Sequence, residues 1–344
     1  MKRRETSSDR PAVSLWRQAR GWVGIGVVML AGLVRAAPEA TLTSGQEPEP
    51  DHLFHFGTSS ALLGQFNEDD AKAALKVWAE TLVKDGSIRA DPTMRVYNSA
   101  PEMIAALLSK EVDGVSVPIT ELFEIQEKVK FDHFIFDVVE GSIMEEYLVL
   151  VQRDSSITNL EGLGGRSLIA QRGPRTILAM TWLDTLLLEK GLPPAQKYCS
   201  RLTEETKLAK TVLPVFFRQT DACLVTRKGF KAMSELNPQV ERQLRVVAAS
   251  PEFASTGFFL RSGPSEALQA KIVEQTLRVH ESSAGQQIMT VFHTERLVER
   301  PASVMDSALA LLARHRCLLA GTNALNPNLG AANLSAGHTS GGGN

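Results

Sequence analysis

Residues 147–178 read YLVLVQRDSSITNLEGLGGRSLIAQRGPRTIL, and this stretch decides how the chain is expected to fold. Its two apolar runs, 147–151 and 167–170, have the length of buried β-strands. The residues that follow, 176–190, carry apolar side chains at the spacing of a helix that ends before Gly191. The stretch therefore predicts two strands followed by a helix, which is a repeating unit of α/β folds.

The turn between the second strand and the helix reads RGPRT, residues 172–176. A glycine lets the backbone turn, and a proline suits the first turn of a helix. In one interpretation the amides at the helix start and the guanidinium of Arg175 bind an anion, with Gly173 and Thr176 beside them. In the other interpretation the same residues form an ordinary exposed turn. The residues alone leave both interpretations open.

The rest of the chain repeats the alternation of short apolar runs and helical patterns. Further strands are expected at 53–56, 94–97, 115–117, 134–139, 222–226, 244–249 and 257–260. Helices are expected between the early strands and at 69–83, 207–217, 264–280 and 303–316. This alternation predicts mostly parallel sheets with helices on both faces, arranged as one wide sheet or as two lobes with a cleft.

Residues 1–36 have the pattern of a secretory signal peptide. Basic residues precede an apolar stretch of about 14 residues, and small residues precede a cleavage site after Ala36. An uncleaved membrane anchor is the alternative, although the stretch is shorter than the roughly 20 residues that span a bilayer. Residues 37–50 are expected to be a flexible lead-in and residues 321–344 a disordered tail, because both are poor in large apolar side chains.

The charge balance argues against nucleic acid as a partner. The full chain has a formal net charge of −2, and removal of the signal peptide would change it to about −7. Binding to a phosphate backbone needs a basic surface, so any anion site in this chain must be local. The three cysteines show no zinc-ligand spacing and are expected to be buried small side chains, although Cys199 and Cys223 could form a disulfide on adjacent strands.

Four segments together resemble the phosphate-, phosphite- and phosphonate-binding family of periplasmic substrate-binding proteins of ABC importers. They are the stretch quoted above, YNSAPEMIAALLSKEVDGVSV (97–117), RQTDACLV (218–225) and SPEFASTGFFLRSGPSEALQAKI (250–272). The resemblance implies the two-lobed α/β fold of type 2 periplasmic binding proteins, in which two crossover strands join the lobes. The first lobe would comprise 51–142 and 254–320 and the second 143–253, with crossings near 139–146 and 249–257.

The resemblance also implies a ligand site in the cleft between the lobes. It implies that Thr58, Ser59 and Ser60 form a contact loop of the first lobe, and that Asp221 faces the cleft from the second. The alternatives are a turn or helix-capping cluster for the three hydroxyl residues and an ion pair with Arg218 or Arg227 for the aspartate.

Two further candidates come from their place on the predicted sheet. Tyr97 and Ser99 lie at a strand-to-helix junction on the carboxyl edge of a parallel sheet, where such folds bind ligands. The alternative is that Tyr97 is a core aromatic residue and that Ser99 caps the helix.

The ligand loop departs from the family pattern. The family usually presents a run of hydroxyl residues before the long helix of the second lobe, whereas 173–176 contains the hydroxyl of Thr176 alone. A carboxylate is therefore as plausible a ligand as a phosphonate-like or phosphate-like oxyanion. We expect a monomeric periplasmic protein that delivers a small anionic solute to the membrane permease of an ABC importer.

Two other functions remain open at this point. One is a periplasmic sensor module that reports to a membrane signalling partner, and the other is an enzyme on the same fold. No nucleophile elbow, phosphate-binding Walker loop or metal-ligand motif occurs in the sequence. We therefore expect no catalytic residue, no cofactor and no metal.

Overall fold

The computed structural model describes residues 53–63, 73, 76, 77, 80, 88–91 and 93–325. These residues form fifteen strands: β1 (Leu53–Phe54), β2 (Phe56–Ser59), β3 (Arg89–Ala90), β4 (Arg95–Tyr97), β5 (Gly114–Pro118), β6 (Phe131–Val138), β7 (Met144–Glu145), β8 (Tyr147–Gln152), β9 (Ser167–Gln171), β10 (Arg201–Glu205), β11 (Ala222–Thr226), β12 (Leu244–Ala249), β13 (Phe253–Ala254), β14 (Thr256–Arg261) and β15 (Arg296–Glu299).

The described residues also form eleven α-helices: α1 (Ser60–Leu63), α2 (Ala100–Leu108), α3 (Ile119–Ile125), α4 (Ala179–Glu189), α5 (Ala195–Tyr198), α6 (Leu208–Phe216), α7 (Arg227–Leu236), α8 (Pro238–Gln243), α9 (Glu266–Arg278), α10 (Ser283–Val291) and α11 (Asp306–Leu325). Short 3₁₀ turns cover Leu160–Leu163, Pro174–Thr176, Val279–Glu281 and Ala302–Met305. Among the helices of these described ranges, none is both long and apolar enough to cross a membrane.

The first large sheet has six strands in the order β15-β6-β14-β5-β2-β4. Its register aligns one row of residues across four strands, because Ile135 pairs with Phe258, Phe258 with Ser116, and Ser116 with Thr58. Residues in one such row point to the same face of a sheet. This row forms the floor of the cavity described below.

The second large sheet has five strands in the order β10-β9-β11-β8-β12. Its centre is filled by side chains that are almost fully buried, such as Leu148, Leu150 and Leu224. Strands β8 and β11 are apolar and buried along their whole length, which is the pattern expected for strands covered by helices on both faces.

Both sheets are mixed, although four of the five strands of the second sheet and four of the six strands of the first run in one direction. In the second sheet β8 runs antiparallel to both of its neighbours, and in the first sheet β14 does the same. A parallel neighbour needs a long crossover connection, usually a helix. Strands β8 and β14 instead follow directly from the short strands β7 and β13. Strand β8 runs against the other four strands of its sheet, whereas β14 shares its direction with β15.

The strands β7 and β13 form a separate antiparallel pair, in which Glu145 lies opposite Phe253. The chain passes through β7 on its way from the first sheet to the second and through β13 on its way back. Both large sheets and this pair belong to one compact unit of the chain.

The last helix differs from its predicted bounds. The sequence predicts a helix over 303–316 and a disordered tail from 321, whereas α11 continues to Leu325. Gly321 alone did not end it, because a single glycine costs a helix only about 1 kcal/mol relative to alanine. Cys199 and Cys223 are buried and unpaired, as expected, but Cys317 on α11 is exposed.

Several predicted segments lie outside the described residues. They are the signal peptide at 1–36, the lead-in at 37–50, most of the helix at 69–83, and the part of the tail beyond residue 325.

Candidate ligand-binding site

The turn that follows β9 carries Arg175 to the first sheet. The guanidinium Nη2 lies 2.6 Å from Oδ2 of Asp137 in β6, and Nη1 lies 3.3 Å from Oε1 of Glu145 in β7. The backbone carbonyl of Arg175 is also held, because it accepts a hydrogen bond of 3.1 Å from the Tyr147 hydroxyl and one of 3.3 Å from Ser255. Arg175 therefore joins the second sheet to the first sheet and to the crossover strands.

The carboxylate of Glu145 is the most deeply buried acid of this junction, with its side chain 2% exposed. Lys228 on α7 approaches its Oε1 to 3.2 Å and also donates to the carbonyl of Met144. Burial raises the pKa of Glu145, while the charges of Lys228 and Arg175 oppose that rise. The junction thus contains two acids, Asp137 and Glu145, and two bases, Arg175 and Lys228, and the Oε2 atom of Glu145 is buried without a hydrogen-bond partner among the described residues.

In one interpretation of the sequence, Arg175 and Thr176 bind an anion. In the structure, both residues make hydrogen bonds to other groups of the protein. Nη1 and Nη2 of Arg175 each donate to a carboxylate, which uses two of the five N–H groups of the guanidinium. The amide and the hydroxyl of Thr176 both donate to the carbonyl of Gly173, at 3.0 and 3.1 Å. Pro174–Thr176 forms one 3₁₀ turn, and α4 begins only at Ala179. Two N–H groups of Arg175 and both donors of Thr176 are therefore engaged within the loop and the junction.

Two residues of the predicted hydroxyl loop in the first sheet, Thr58 and Ser59, also make hydrogen bonds within the protein. The Ser59 hydroxyl donates to Oε1 of Glu121 on α3 over 2.7 Å, and its oxygen accepts from the amide of Ala61. The Thr58 hydroxyl makes a long contact of 3.4 Å with the carbonyl of Ser116. Ser60 begins the four-residue helix α1. Only Thr58 of these three faces the cavity described below.

Tyr97 and Ser99 have the structural roles that the sequence analysis left as alternatives. Ser99 is the N-cap of α2 and accepts from the amide of Glu102 at 3.5 Å. The ring of Tyr97 covers Gly57 on the adjacent strand, where a Cβ would come within 2.6 Å of the ring. Neither residue lines the cavity.

Asp221 lies at the opposite end of the second sheet from the ligand loop. Its Oδ2 accepts from the amide and the hydroxyl of Ser167 at 2.8 and 2.6 Å, and Arg166 approaches it to 3.8 Å. Burial alone would raise the pKa of Asp221, but these hydrogen bonds outweigh it and lower the pKa. Ser167 begins β9 and the ligand loop follows the end of that strand, so Asp221 is about 13 Å from the loop at roughly 3.3 Å per residue. The expectation that Asp221 faces the cleft is wrong.

A cavity of about 180 Å³ opens beside the Arg175–Asp137 pair. Its lining is mainly apolar and comes from the first sheet, from the helices α1, α9 and α10 and from the turn after β9: Thr58, Leu62, Leu63, Ser116, Ile135, Asp137, Pro174, Arg175, Thr256, Gly257, Phe258, Thr276, Ile288, Met289, Phe292, Thr294 and Leu297. Of the nine predicted site residues, Thr58 and Arg175 are thus brought together here.

Sequence reasoning missed five polar residues of this cavity, which are Ser116, Asp137, Thr256, Thr276 and Thr294. Asp137 accepts from the Thr256 hydroxyl at 3.0 Å, and Thr276 presents a buried hydroxyl. A signal for Asp137 was present, because it is a single acid near the end of the apolar run Phe131–Val138. Thr276 and Thr256 carried no comparable signal, since isolated threonines are common in helices and strands.

Comparison with known proteins identifies the family. The family model for the periplasmic phosphonate substrate-binding protein of ABC transporters matches residues 61–303. The chain belongs to this family. The resemblance stated from the four segments is therefore confirmed, and so is the two-lobed type 2 periplasmic-binding-protein fold. No curated protein sequence matches the chain.

Several solved structures have folds similar to that of this chain, at low sequence identity. XAC2383 from Xanthomonas citri, bound to chloride, has a TM-score of 0.56 and 16% sequence identity to this chain. The alignment covers 78% of this chain and 99% of the XAC2383 chain. The binding protein of an ABC phosphonate transporter from Pseudomonas aeruginosa has a TM-score of 0.52 and 13% identity, covering 79% and 89%. PhnD1 from Prochlorococcus marinus, in complex with methylphosphonate, has a TM-score of 0.51 and 12% identity, covering 75% and 96%.

Proposed function

We propose that this protein captures a small solute between its two large sheets and delivers it to the permease of an ABC importer in the membrane. It would act in the periplasm as a monomer, after cleavage of the signal peptide behind Ala36. One observation carries the proposal. The cavity opens where Arg175 of the second sheet meets Asp137 of the first, so a solute bound there touches residues of both sheets.

Contact with both sheets is what a delivery protein needs. A solute that touches both sides of a hinge binds the closed arrangement better than the open one, and it shifts the population toward the closed form. The permease can then distinguish loaded from empty protein by shape.

An oxyanion, which the sequence suggests as the ligand, would compete at this site with the carboxylates that already bind Arg175. An oxyanion that binds both terminal nitrogens of Arg175 must compete there with Asp137 and Glu145. Displacement would leave a carboxylate without its partner, and removal of one partner of a buried charged pair is costly. Solute capture therefore rests on the cavity, and the oxyanion class stays a separate question that experiment has to answer.

A thermal-shift screen tests the proposed function. The secreted protein would be mixed with phosphate, phosphite, methylphosphonate, sulfate, small carboxylates and small uncharged organic molecules. At 100 times its dissociation constant, a true ligand should raise the free energy of unfolding by about 2.7 kcal/mol. Failure of every compound class to shift the transition would contradict solute capture.

The ligand found in this way then separates the three functions. Stimulation by the loaded protein of the ATPase of an importer whose genes lie beside its own supports delivery. Stimulation of a neighbouring kinase instead would indicate the sensor module. Conversion of the ligand during incubation would indicate an enzyme.

A further inference from the structure

The cavity beside Arg175 has a polar end and an apolar end. At the polar end, next to Arg175, Asp137 accepts a hydrogen bond from Thr256. Ile135 and Phe258 pair with each other two positions away along the same two strands, and side chains two positions apart point to the same face of a sheet. At roughly 3.3 Å per residue the two ends are about 7 Å apart, so one small solute can contact both.

Arg175 keeps hydrogen-bond donors available at the polar end. A guanidinium has five N–H groups, and the bonds to Asp137 and Glu145 use two of them. No described residue accepts from the other three. The side chain lines the cavity and is 28% exposed. An oxyanion in the cavity can therefore accept from the remaining N–H groups while both carboxylates stay bonded, and such charge-assisted hydrogen bonds are strong.

The apolar end is larger than an inorganic oxyanion needs. The volume of the cavity is about 180 Å³, more than the roughly 150 Å³ of an engineered apolar cavity that binds benzene. Its apolar lining consists of Leu62, Leu63, Ile135, Phe258, Ile288, Met289, Phe292 and Leu297. Phosphate or methylphosphonate bound at Arg175 would leave most of this surface in contact with water, whereas a larger apolar substituent would cover it.

We propose that the cavity binds the anion of an organic acid whose oxyanion head accepts hydrogen bonds from Arg175 and whose apolar body, about one ring in size, lies against Ile135 and Phe258. This inference rests on the proposed function and names the class of solute that the same site takes. The protein would prefer such an acid to inorganic oxyanions and to acids that carry only a methyl group, because those leave the apolar end unfilled.

A matched set of probes tests the two parts of the solute separately. Benzylphosphonate has a head and a ring, methylphosphonate and phosphate lack the ring, and benzyl alcohol lacks the charge. Calorimetric titration of the full secreted chain should show that benzylphosphonate binds at least tenfold more tightly than each of the other three. Phenylacetate should exceed acetate by a similar factor, and comparison of phenylacetate with benzylphosphonate then identifies the preferred head.

Ser116→Phe tests the position of the ring. Ser116 is half-buried, lines the cavity and pairs with Phe258, so a phenylalanine there would fill the apolar end. The affinity for benzylphosphonate should fall at least tenfold, and it should fall more than the affinity for methylphosphonate. Ser303→Phe, the same change at an exposed position outside the cavity, is the control and should alter neither affinity. The unfolding temperature without ligand shows whether each variant is folded, and the probe ratios of the parent decide the matter if Ser116→Phe is not.

Arg175→Gln tests the position of the head. Removal of the guanidinium should weaken benzylphosphonate at least tenfold and change the affinity for benzyl alcohol much less, because the alcohol does not depend on a charged donor. Arg172→Gln is the matched control, since Arg172 is exposed and does not line the cavity. It should leave the affinity for benzylphosphonate unchanged.

The outcomes separate this inference from the proposed function. Methylphosphonate or phosphate binding as tightly as benzylphosphonate would overturn the apolar body, and benzyl alcohol binding as tightly would overturn the anionic head. Benzylphosphonate affinity that survives Ser116→Phe in a folded protein would place the ligand elsewhere and also overturn the inference. Solute capture itself stands in each of these cases and fails only if the wider screen finds no ligand at all.

Discussion

Glu121 is a half-buried carboxylate in the first turn of α3, and its Oε1 accepts a hydrogen bond from the Ser59 hydroxyl. Its second oxygen is buried without a partner in the described residues. Burial raises the pKa of Glu121, and the nearby charge of Glu124 adds to the rise, although the hydrogen bond from Ser59 opposes it. The folded protein therefore holds this proton more tightly than the unfolded chain does.

This raised pKa predicts the effect of Glu121→Gln. As pH rises from the ordinary glutamate range, the unfolded chain loses its proton first, so the parent loses stability until the folded carboxyl also ionises. The glutamine keeps an acceptor for Ser59 and has no charge to bury. The variant should unfold at a higher temperature than the parent at pH 7.5, and the difference should shrink at pH 4. Glu252→Gln, on an exposed residue, is the control, and equal pH dependence of parent and Glu121→Gln would contradict the prediction.

Arg175 gives a second prediction at the residue scale, because its guanidinium bonds to Asp137 across the junction. Arg175→Gln and Asp137→Asn should each lower the free energy of unfolding by about 1–3 kcal/mol. The double variant should lose about 1 kcal/mol less than the sum, since either single change already breaks the pair. Urea unfolding of the four proteins measures this coupling.

The control for Arg175 lies three residues earlier. Arg172 is 74% exposed, and its guanidinium lies 3.8 Å from the carboxylate of Glu204. Arg172→Gln should change the free energy of unfolding by less than about 0.5 kcal/mol. Additive losses for the Arg175 and Asp137 variants would mean that the pair does not hold the sheets together.

At the scale of elements, α11 packs against helices of both parts of the fold. His315 shares a hydrogen bond of 3.1 Å with Thr185 on α4, and Arg314 pairs with Glu189 of the same helix. Arg316 instead pairs with Glu127 and lies 4.1 Å from the ring centre of Phe123 on α3. Consecutive residues of one helix thus contact two different helices.

The docking of α11 should depend on pH. Burial lowers the pKa of His315, although the nearby charge of Asp184 opposes the shift. A histidine with a lowered pKa in the fold stabilises the native state above its ordinary range, and that stability is lost as pH falls below it. Amide exchange within α11, corrected for the intrinsic rate, should increase severalfold from pH 7.5 to pH 5.5. His315→Gln should remove the increase and α2 should not show it, so an equal change in α2 would contradict the prediction.

The limits of sequence reasoning are clear from these elements. Apolar periodicity predicted most strands, including β8, β9 and β11, because each contains its own buried run. It could not predict that β8 and β14 run antiparallel to their neighbours, since strand direction depends on how the crossover strands enter the sheets. The turn at 172–176 was predicted correctly as a connection between a strand and a helix, but its partners Asp137 and Glu145 lie far away in sequence.

At the scale of the whole molecule, the net charge predicts that any anion site must be local. A chain with more acids than bases has no general attraction for anions, and the junction balances Arg175 and Lys228 with two carboxylates. The family resemblance identified the fold and suggested anion contacts at Ser59, Arg175 and Thr176. Each of these residues makes hydrogen bonds within the protein, and no pattern in the sequence could show those partners.

The most direct test is the identity of the molecule that the protein carries when it is isolated from the cells that make it. Native mass spectrometry would measure the mass of the bound molecule, and release in denaturing solvent would establish its charge and structure. The account predicts one small solute molecule per chain, bound at the cavity beside Arg175. A protein that carries no small molecule and binds none of the compounds in the thermal-shift screen would contradict it.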